Sequence, residues 1–274
     1  MLLDGHTSRN DLRAFFDAAP ELALVEVREA LGSTPREAGA WMLVSRKAIF
    51  GTIGGGQLEF MAIDRARAMI AAGGPATDLL DVPLGPEIGQ CCGGRVTIDI
   101  ALVDEALREA IAKRVEAEDA LKPHVYLFGG GHVGHALAAA LALLPLSVTV
   151  VETRSEALEG MPAGVATRLT PVPEETVRQA PAGSAYVVLT HDHALDFLIV
   201  AEALKRSGAA YVGMIGSKTK KATFRSWYLR EAGGDEAGYA RLVSPIGGPD
   251  VRDKRPAVIA ALAAAEIAAA LLKG

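Results

Sequence analysis

The sequence predicts an α/β protein in which a doubly wound parallel sheet forms the C-terminal part and a smaller α+β domain precedes it. Its 274 residues are enough for about two domains. Strand-like runs dominate before residue 122, whereas short, continuously apolar strands alternate with helices after it. Such alternation is typical of a parallel sheet covered by helices on both faces. We therefore expect domains at 1–121 and 122–274.

The sequence predicts four strands and two helices in the N-terminal domain. The strands are predicted over 22–27, 40–45, 48–53 and 95–103. The helices are predicted over 57–72 and 104–118. The second and third strands should form a hairpin because only Arg46 and Lys47 separate them. Asp104 is a good N-cap residue and marks the start of the second helix.

The sequence predicts regularly alternating strands and helices in the C-terminal domain. Strands are predicted over 125–128, 148–152, 184–190, 211–216 and 241–247. Helices are predicted over 132–144, 194–207 and 217–231, and from about residue 256 onward. Apolar residues, chiefly Val, Leu and Ile, dominate these strands, which indicates strands buried on both faces.

Composition narrows the class of protein. Half of the residues are hydrophobic and 22% are charged, as in a globular chain with a sizeable core. The net charge of −5 argues against a nucleic-acid partner. The only two cysteines are neighbours, so a disulfide framework is excluded and a reducing compartment is expected. The first residues lack a signal-peptide core, and the apolar run 257–272 is short for a membrane span. We expect a cytoplasmic protein without a membrane partner.

A glycine-rich turn follows the first C-terminal strand. Gly129, Gly131 and Gly134 fit the pattern G-x-G-x-x-G between a strand and a helix, where backbone N–H groups can bind a phosphate. Glu152 ends the next strand, where a carboxylate would accept from a ribose hydroxyl. His132 is an unusually bulky residue for such a turn. The alternative is a turn that serves only helix–sheet packing.

A second polar cluster follows the strand 184–190. Thr190 ends this strand and is followed by His191, Asp192 and His193. Because ligands bind beyond the carboxyl ends of parallel strands, these four residues are candidate cofactor contacts. Two histidines and an aspartate could also bind a metal or act as acid and base. The remaining alternative is that Asp192 simply caps the next helix.

Basic residues form two further candidates at the same edge. The helix after Ser217 carries no acid before residue 230, and its basic residues are Lys218, Lys220, Lys221, Arg225 and Arg230. A bound anion near Ser217 and Lys218 would offset the unfavourable interaction of these lysines with the helix dipole. A solvated basic face is the alternative. The loop 244–256 offers Arg252 and Arg255 to phosphates, or is an ordinary solvated loop.

The two thiols lie in a glycine-rich loop of the N-terminal domain. Cys91 and Cys92 stand between Gly89 and the pair Gly93–Gly94, directly before a strand. A thiolate is a soft ligand for a transition metal and a nucleophile that can carry sulfur. A cysteine can also be a small buried hydrophobe. The open glycine context favours a functional role.

Several of these segments together resemble the XdhC/CoxI family of xanthine dehydrogenase accessory proteins. The matching segments are GSTPREAGAWMLV (32–44), GTIGGGQLE (51–59), GQCCGG (89–94), FGGGHVG (128–134), THDHALD (190–196), GMIGS (213–217) and GGPDVRDKRP (247–256). The resemblance implies a cysteine-bearing N-terminal domain and a Rossmann-like C-terminal domain, often dimeric. It also implies binding of the molybdopterin-type molybdenum cofactor, with Cys92 as a candidate contact to molybdenum and Cys91 as its companion. The partners that it implies are an apo xanthine dehydrogenase-type client and a cysteine desulfurase.

Three hypotheses follow for the function. The first is a chaperone that protects the molybdenum cofactor during sulfuration and inserts it into the client, without catalysis of its own. The second is an NAD-dependent oxidoreductase that uses the Gly129–Glu152 unit, with His191 or His193 as acid and base. The third is a redox-sensing protein whose two thiols oxidise. The thiol pair in a separate domain favours the first over the second, since a dehydrogenase has no evident need for it.

Overall fold

The chain divides into two compact units, Met1–Ala120 (unit 1) and Leu121–Gly274 (unit 2). The structure, a computed structural model, describes residues 2–3, 9–73, 75–85, 93–248, 251 and 253–273. Each unit has its own sheet and its own apolar core. Each is described by itself below.

Unit 1 combines a mostly antiparallel sheet with three described helices. Its strands are β1 (Leu2–Leu3), β2 (Leu22–Leu31), β3 (Trp41–Ser45), β4 (Ile49–Gly51), β5 (Thr77–Pro83) and β6 (Arg95–Leu102). Its helices are α1 (Arg9–Ala18), α2 (Gly56–Ala72) and α3 (Glu105–Ala120). The strand order among the described residues is β1-β4-β3-β2-β6-β5, and only the short β1 pairs in parallel.

The sheet of unit 1 is apolar on both faces because side chains alternate along each strand. Ala23, Val25 and Val27 of β2 pack with apolar residues of α2. Leu22 and Leu24, which point the other way, pack with residues of α1 and α3. The predicted hairpin is confirmed by the antiparallel pairing of β3 with β4. The predicted N-cap is confirmed as well, since the Leu107 N–H donates to Asp104 Oδ1 at 2.8 Å.

Unit 2 is the alternating half of the chain. Its strands are β7 (His124–Phe128), β8 (Ser147–Glu152), β9 (Ala166–Leu169), β10 (Ala185–Val188), β11 (Tyr211–Met214) and β12 (Leu242–Val243). Its helices are α4 (His132–Leu141), α5 (Pro173–Gln179), α6 (His193–Lys205), α7 (Lys218–Arg230), α8 (Glu236–Ala240) and α9 (Pro256–Leu271). A short 3₁₀ turn spans Ser155–Leu158.

The sheet of unit 2 has the order β12-β11-β10-β7-β8-β9, and every described pairing is parallel. One core cluster joins the sheet to α4 and α9, and another joins its opposite face to α5, α6 and α7. The chain moves outward from β7 through β8 to β9, and then returns to start β10 on the other side of β7. This is the Rossmann strand order. The predicted fold class, a doubly wound parallel sheet with a smaller α+β part, is confirmed.

Two strands that the sequence did not predict carry few buried side chains. Strand β5 carries mostly exposed or half-buried side chains, so its residues lack the continuous apolar signal of a buried strand. Strand β9 is a four-residue edge strand with the same property. Among the helices that the structure describes, none combines the length and the apolar character needed to cross a membrane.

Candidate functional site

The carboxyl ends of β7 and β10 meet where the strand order of unit 2 reverses. The Leu189 N–H donates to the Phe128 carbonyl at 2.8 Å, so the residues that leave the two strands start side by side. In open α/β sheets, ligands bind in the crevice outside the strand ends at this switch point. The predicted residues Gly129 and Thr190 both lie at this edge of the sheet.

The glycines of the turn after β7 meet different surroundings. Gly129 has a φ of +121°, and a Cβ there would lie 2.5 Å from the Leu189 carbonyl oxygen. A Cβ on Gly134 would lie 2.1 Å from the Gly129 carbonyl oxygen. A Cβ on Gly131 would meet nothing within 4 Å. The first and third glycines are therefore required by close backbone packing, whereas the second borders open space.

The helix after this turn begins without a side-chain cap. Gly131 is the N-cap of α4, and among the described residues no side-chain hydrogen bond caps this helix end. The N-terminal N–H groups of a helix have no partner within the helix, and the helix dipole favours an anion there. His132, the first residue of α4, is exposed. This end of α4 can therefore accept a phosphate.

Glu152, at the end of β8, hydrogen-bonds to the glycine turn itself. Its Oε2 accepts from the Gly130 N–H at 2.9 Å, and its Oε1 accepts from the Thr153 N–H at 2.8 Å. Arg154 pairs with the same carboxylate at 3.3 Å. Burial alone would raise the pKa of Glu152, but the Gly130 N–H, the Arg154 guanidinium and the Thr153 N–H outweigh it and lower the pKa to about 2. The carboxylate is charged at neutral pH and is only 5% exposed.

The loop after β10 is held by its own side chains. Asp192 is the N-cap of α6 and accepts from the Ala194 N–H at 2.8 Å. This is the capping alternative considered above. His191 and His193 are exposed. Within the residues that the structure describes, no group of three or more His, Cys, Asp or Glu side chains is placed to hold a metal ion.

Beneath this loop lies a buried ion pair that the sequence did not reveal. Asp196 of α6 is fully buried and pairs with Lys220 of α7, whose side chain is 7% exposed. Asp196 Oδ1 also accepts from the Thr190 hydroxyl at 2.6 Å and from the Thr190 N–H at 3.1 Å. The Lys220 ammonium donates in addition to the Ile215 carbonyl at 3.1 Å. The pair thus joins the ends of β10 and β11 to helices α6 and α7.

The lysines at the start of α7 were expected either to face a bound anion or to form a solvated basic face, and the structure differs from both. Ser217 caps the helix by accepting from the Lys220 N–H at 3.2 Å, and Lys218 is exposed. The expectation that the first-turn lysines face an anion or solvent is wrong for Lys220, because its ammonium is buried against Asp196. Of the two loop arginines, Arg255 pairs with Asp253 at 2.6 Å. Arg252 lies outside the described residues.

Three glycine-rich segments of unit 1 also lie together. A Cβ on Gly54 would lie 2.6 Å from Pro35 Cβ, and a Cβ on Gly94 would lie 2.5 Å from the Ser33 carbonyl oxygen. The segments 32–44 and 51–59 and the end of 89–94 therefore meet within unit 1. The predicted contacts Cys91 and Cys92 fall outside the described residues.

Signals for the buried pair were present in the helix periodicity. Asp196 shares one helix face with the buried Ile199, Val200 and Ala203, at spacings of three, four and seven. Lys220 precedes the buried Phe224 and Tyr228 by four and eight residues in the same way. A charged residue on each of two apolar faces indicates a buried pair, although the sequence does not say that the two faces meet.

Comparison with known proteins agrees with this architecture. A family model described as the XdhC Rossmann domain matches residues 125–267, which is more than half of the chain. A second model, described as the XdhC and CoxI family, matches residues 17–82. A curated relative, the uncharacterized protein YqeB of Escherichia coli strain K12, is 27% identical over 241 residues. The match covers 82% of this chain but spans only 39% of the length of that protein.

A solved structure shares the fold. It is the crystal structure of a xanthine dehydrogenase from Bacillus halodurans, with a TM-score of 0.77 and 17% identity. The match covers 97% of this chain and 96% of the other. At this identity the likeness concerns the fold alone. The two family models match in order, one in each unit, and the larger spans most of unit 2. The chain belongs to the XdhC/CoxI family.

Proposed function

We propose that this chain holds a molybdopterin-type molybdenum cofactor and delivers it to an apo xanthine dehydrogenase-type client. Family membership supports a role in xanthine dehydrogenase maturation and suggests an accessory protein rather than an enzyme. The proposed partners also include a cysteine desulfurase and a second copy of the chain, in the cytoplasm.

The observation that carries the proposal is the open helix end at the switch point. The cofactor is an anion through its phosphate, and the uncapped start of α4 is an anion-binding element with open space at Gly131. Gly131, His132 and the loop from Thr190 to His193 would hold the cofactor at this edge. When bound, the cofactor supplies the redox-active metal centre of the client. The role of the chain is to bind and shield it.

The alternative is an NAD-dependent oxidoreductase. The strand order and the acid at the end of β8 favour it, since both occur in dinucleotide-binding folds. The bonding of Glu152 weighs against it, because both carboxylate oxygens already accept from groups of unit 2. The predicted acid–base residues His191 and His193 have no carboxylate partner among the described contacts that would orient them.

The test is the molybdenum content and client activity obtained with thiol variants. The chain is co-expressed with its client as wild type, Cys92→Ser or Cys91→Ser. A serine hydroxyl keeps a similar volume but replaces a soft thiolate with a hard, protonated group. We expect Cys92→Ser to fold normally, to carry much less molybdenum and to leave the client inactive. The matched variant Cys91→Ser should show a smaller defect.

Two outcomes would contradict the proposal. The first is a client that becomes fully active in cells lacking this chain, which would remove the maturation role. The second is purified wild-type chain that carries a nicotinamide dinucleotide and no molybdenum or pterin, which would favour the oxidoreductase. Full molybdenum content and client activity in Cys92→Ser would remove only the role of this thiol.

A further inference from the structure

The lone pairs of Glu152 are fully used within unit 2. Oε1 accepts from the Thr153 N–H at 2.8 Å, the Thr153 hydroxyl at 3.2 Å and the Arg154 N–H at 3.3 Å. Oε2 accepts from the Gly130 N–H at 2.9 Å and from Arg154 Nη2 at 3.3 Å. A carboxylate offers about four lone-pair positions, so these five donors, with Arg154 Nε at 3.5 Å from Oε1 as a sixth, saturate it.

A ribose-binding acid needs the opposite environment. In dinucleotide-binding folds, the acid at this strand end accepts from the hydroxyls of the ribose diol. A diol could reach Glu152 only by displacing the buried Gly130 N–H and leaving it without a partner, or by breaking the ion pair of the carboxylate with Arg154. An unpaired buried donor costs more than an average hydrogen bond returns. Glu152 is therefore organised to fix the turn and not to bind a sugar.

The part of the Arg154 guanidinium that faces away from Glu152 remains available to a ligand. Its ion pair with Glu152 uses Nε and Nη2, and its side chain is 42% exposed. Because Glu152 Oε2 also holds the Gly130 N–H, the guanidinium lies beside the glycine turn. In dinucleotide-binding folds, an arginine near this strand end accommodates the 2′-phosphate of a phosphorylated ribose. Guanidinium groups bind phosphate through short, charge-assisted hydrogen bonds.

We propose that unit 2 recognises its ligand through phosphate and not through a ribose diol. In this assignment Arg154 contacts the phosphate together with the start of α4, and Glu152 is a positioning residue for Gly130 and Arg154. The inference rests on the proposed function, since it specifies the ligand chemistry of the same edge. It predicts that removing the ribose hydroxyls of a nucleotide ligand leaves its affinity for unit 2 essentially unchanged.

The experiment compares ADP with 2′,3′-dideoxy-ADP, which differs only in the ribose diol, and with inorganic pyrophosphate. Binding to the full chain is measured by calorimetry. We expect the three dissociation constants to agree within about threefold, since the shared phosphates dominate the contacts. Arg154→Met should weaken all three by about tenfold, the effect of losing one charge-assisted contact. The control is Arg178→Met, because Arg178 has similar exposure but pairs with Glu202 on α6. The Arg178→Met substitution should change none of the three dissociation constants.

The positioning role of Glu152 is tested by comparing how its replacement affects the three probes. Glu152→Gln should weaken the three probes equally, leaving the ratio of ADP to dideoxy-ADP affinity near one. ADP binding at least about tenfold tighter than dideoxy-ADP, with the difference lost in Glu152→Gln, would overturn the inference and show that Glu152 binds ribose. Absence of binding by all three probes would overturn recognition through phosphate. Neither result decides the maturation role, which is judged by client activity.

Discussion

Replacing Lys220 with methionine should strongly destabilise unit 2. The substitution removes the ammonium that faces Asp196, whose side chain has no solvent exposure. Among the described residues, the donors left to the aspartate would be the N–H and hydroxyl of Thr190, at 3.1 and 2.6 Å. The Ile215 carbonyl would lose its bond from the lysine as well. Methionine fills much of the lysine volume, so the effect reports the lost charge and not a cavity.

The magnitude follows from the burial of both partners. Removing one partner of a buried ion pair costs about 3–5 kcal/mol, because the other charge remains buried and uncompensated. For a unit of this size, each kcal/mol lowers the melting temperature by about 2–4 °C. We therefore expect Lys220→Met to lower the melting temperature by roughly 10 °C.

The assay is thermal and urea denaturation followed by circular dichroism. Lys218→Met is the matched control, because Lys218 lies in the same helical turn but is exposed, and it should change stability by less than about 0.5 kcal/mol. The double variant Asp196→Asn, Lys220→Met should recover much of the loss, since an amide oxygen can still accept from Thr190 without a buried charge. A Lys220→Met protein as stable as Lys218→Met would refute the reasoning.

Two further predictions concern the glycine turn and its acid. Gly134→Ala should destabilise the chain by about 1–3 kcal/mol through overpacking against the Gly129 carbonyl. Gly131→Ala should cost less than about 1 kcal/mol because its Cβ meets open space. Equal stabilities of the two variants in urea denaturation would contradict this difference. Folding lowers the pKa of Glu152 from 4.5 to about 2, so its contribution to stability is present above pH 4.5 and is lost as the pH falls towards 2. The free energy of unfolding of the wild type should exceed that of Glu152→Gln by roughly 2 kcal/mol at neutral pH, and this difference should shrink below pH 4.5. A difference that stays constant down to pH ~3 would contradict the lowered pKa of Glu152.

The fold could be predicted from the sequence where burial leaves a periodic signal. The strands of unit 2 are continuous apolar runs because helices cover both faces of the sheet, and the helix starts carry polar caps such as Asp192 and Ser217. Strands β5 and β9 could not be predicted because their side chains are largely exposed at sheet edges. An exposed edge strand satisfies half of its backbone groups through its neighbour and needs few apolar residues.

The candidate site was predictable in position but not in bonding. The topology rule brings Gly129 and Thr190 to one edge, and the structure has them there. The partners of each polar group depend on which helix faces meet. Lys218 and Lys220 lie in the same basic helical turn, yet the first is exposed and the second is buried in an ion pair. The spacing of Lys220 from Phe224 and Tyr228 indicates a buried face, but its partner Asp196 follows only from the packing of α6 against α7.

The two glycine-rich turns show why glycine motifs alone do not locate an anion site. In unit 1, Glu59 accepts from the N–H groups of Ile53 and Gly55 at 3.0 and 3.2 Å. In unit 2, Glu152 accepts from Gly130. A backbone N–H that donates to a carboxylate of its own unit is not available to a phosphate. The glycines allow both turns to form, but in unit 2 the open donors are those of the uncapped α4 start. The phosphate proposal therefore depends on the start of α4 and on Arg154, and not on the number of glycines.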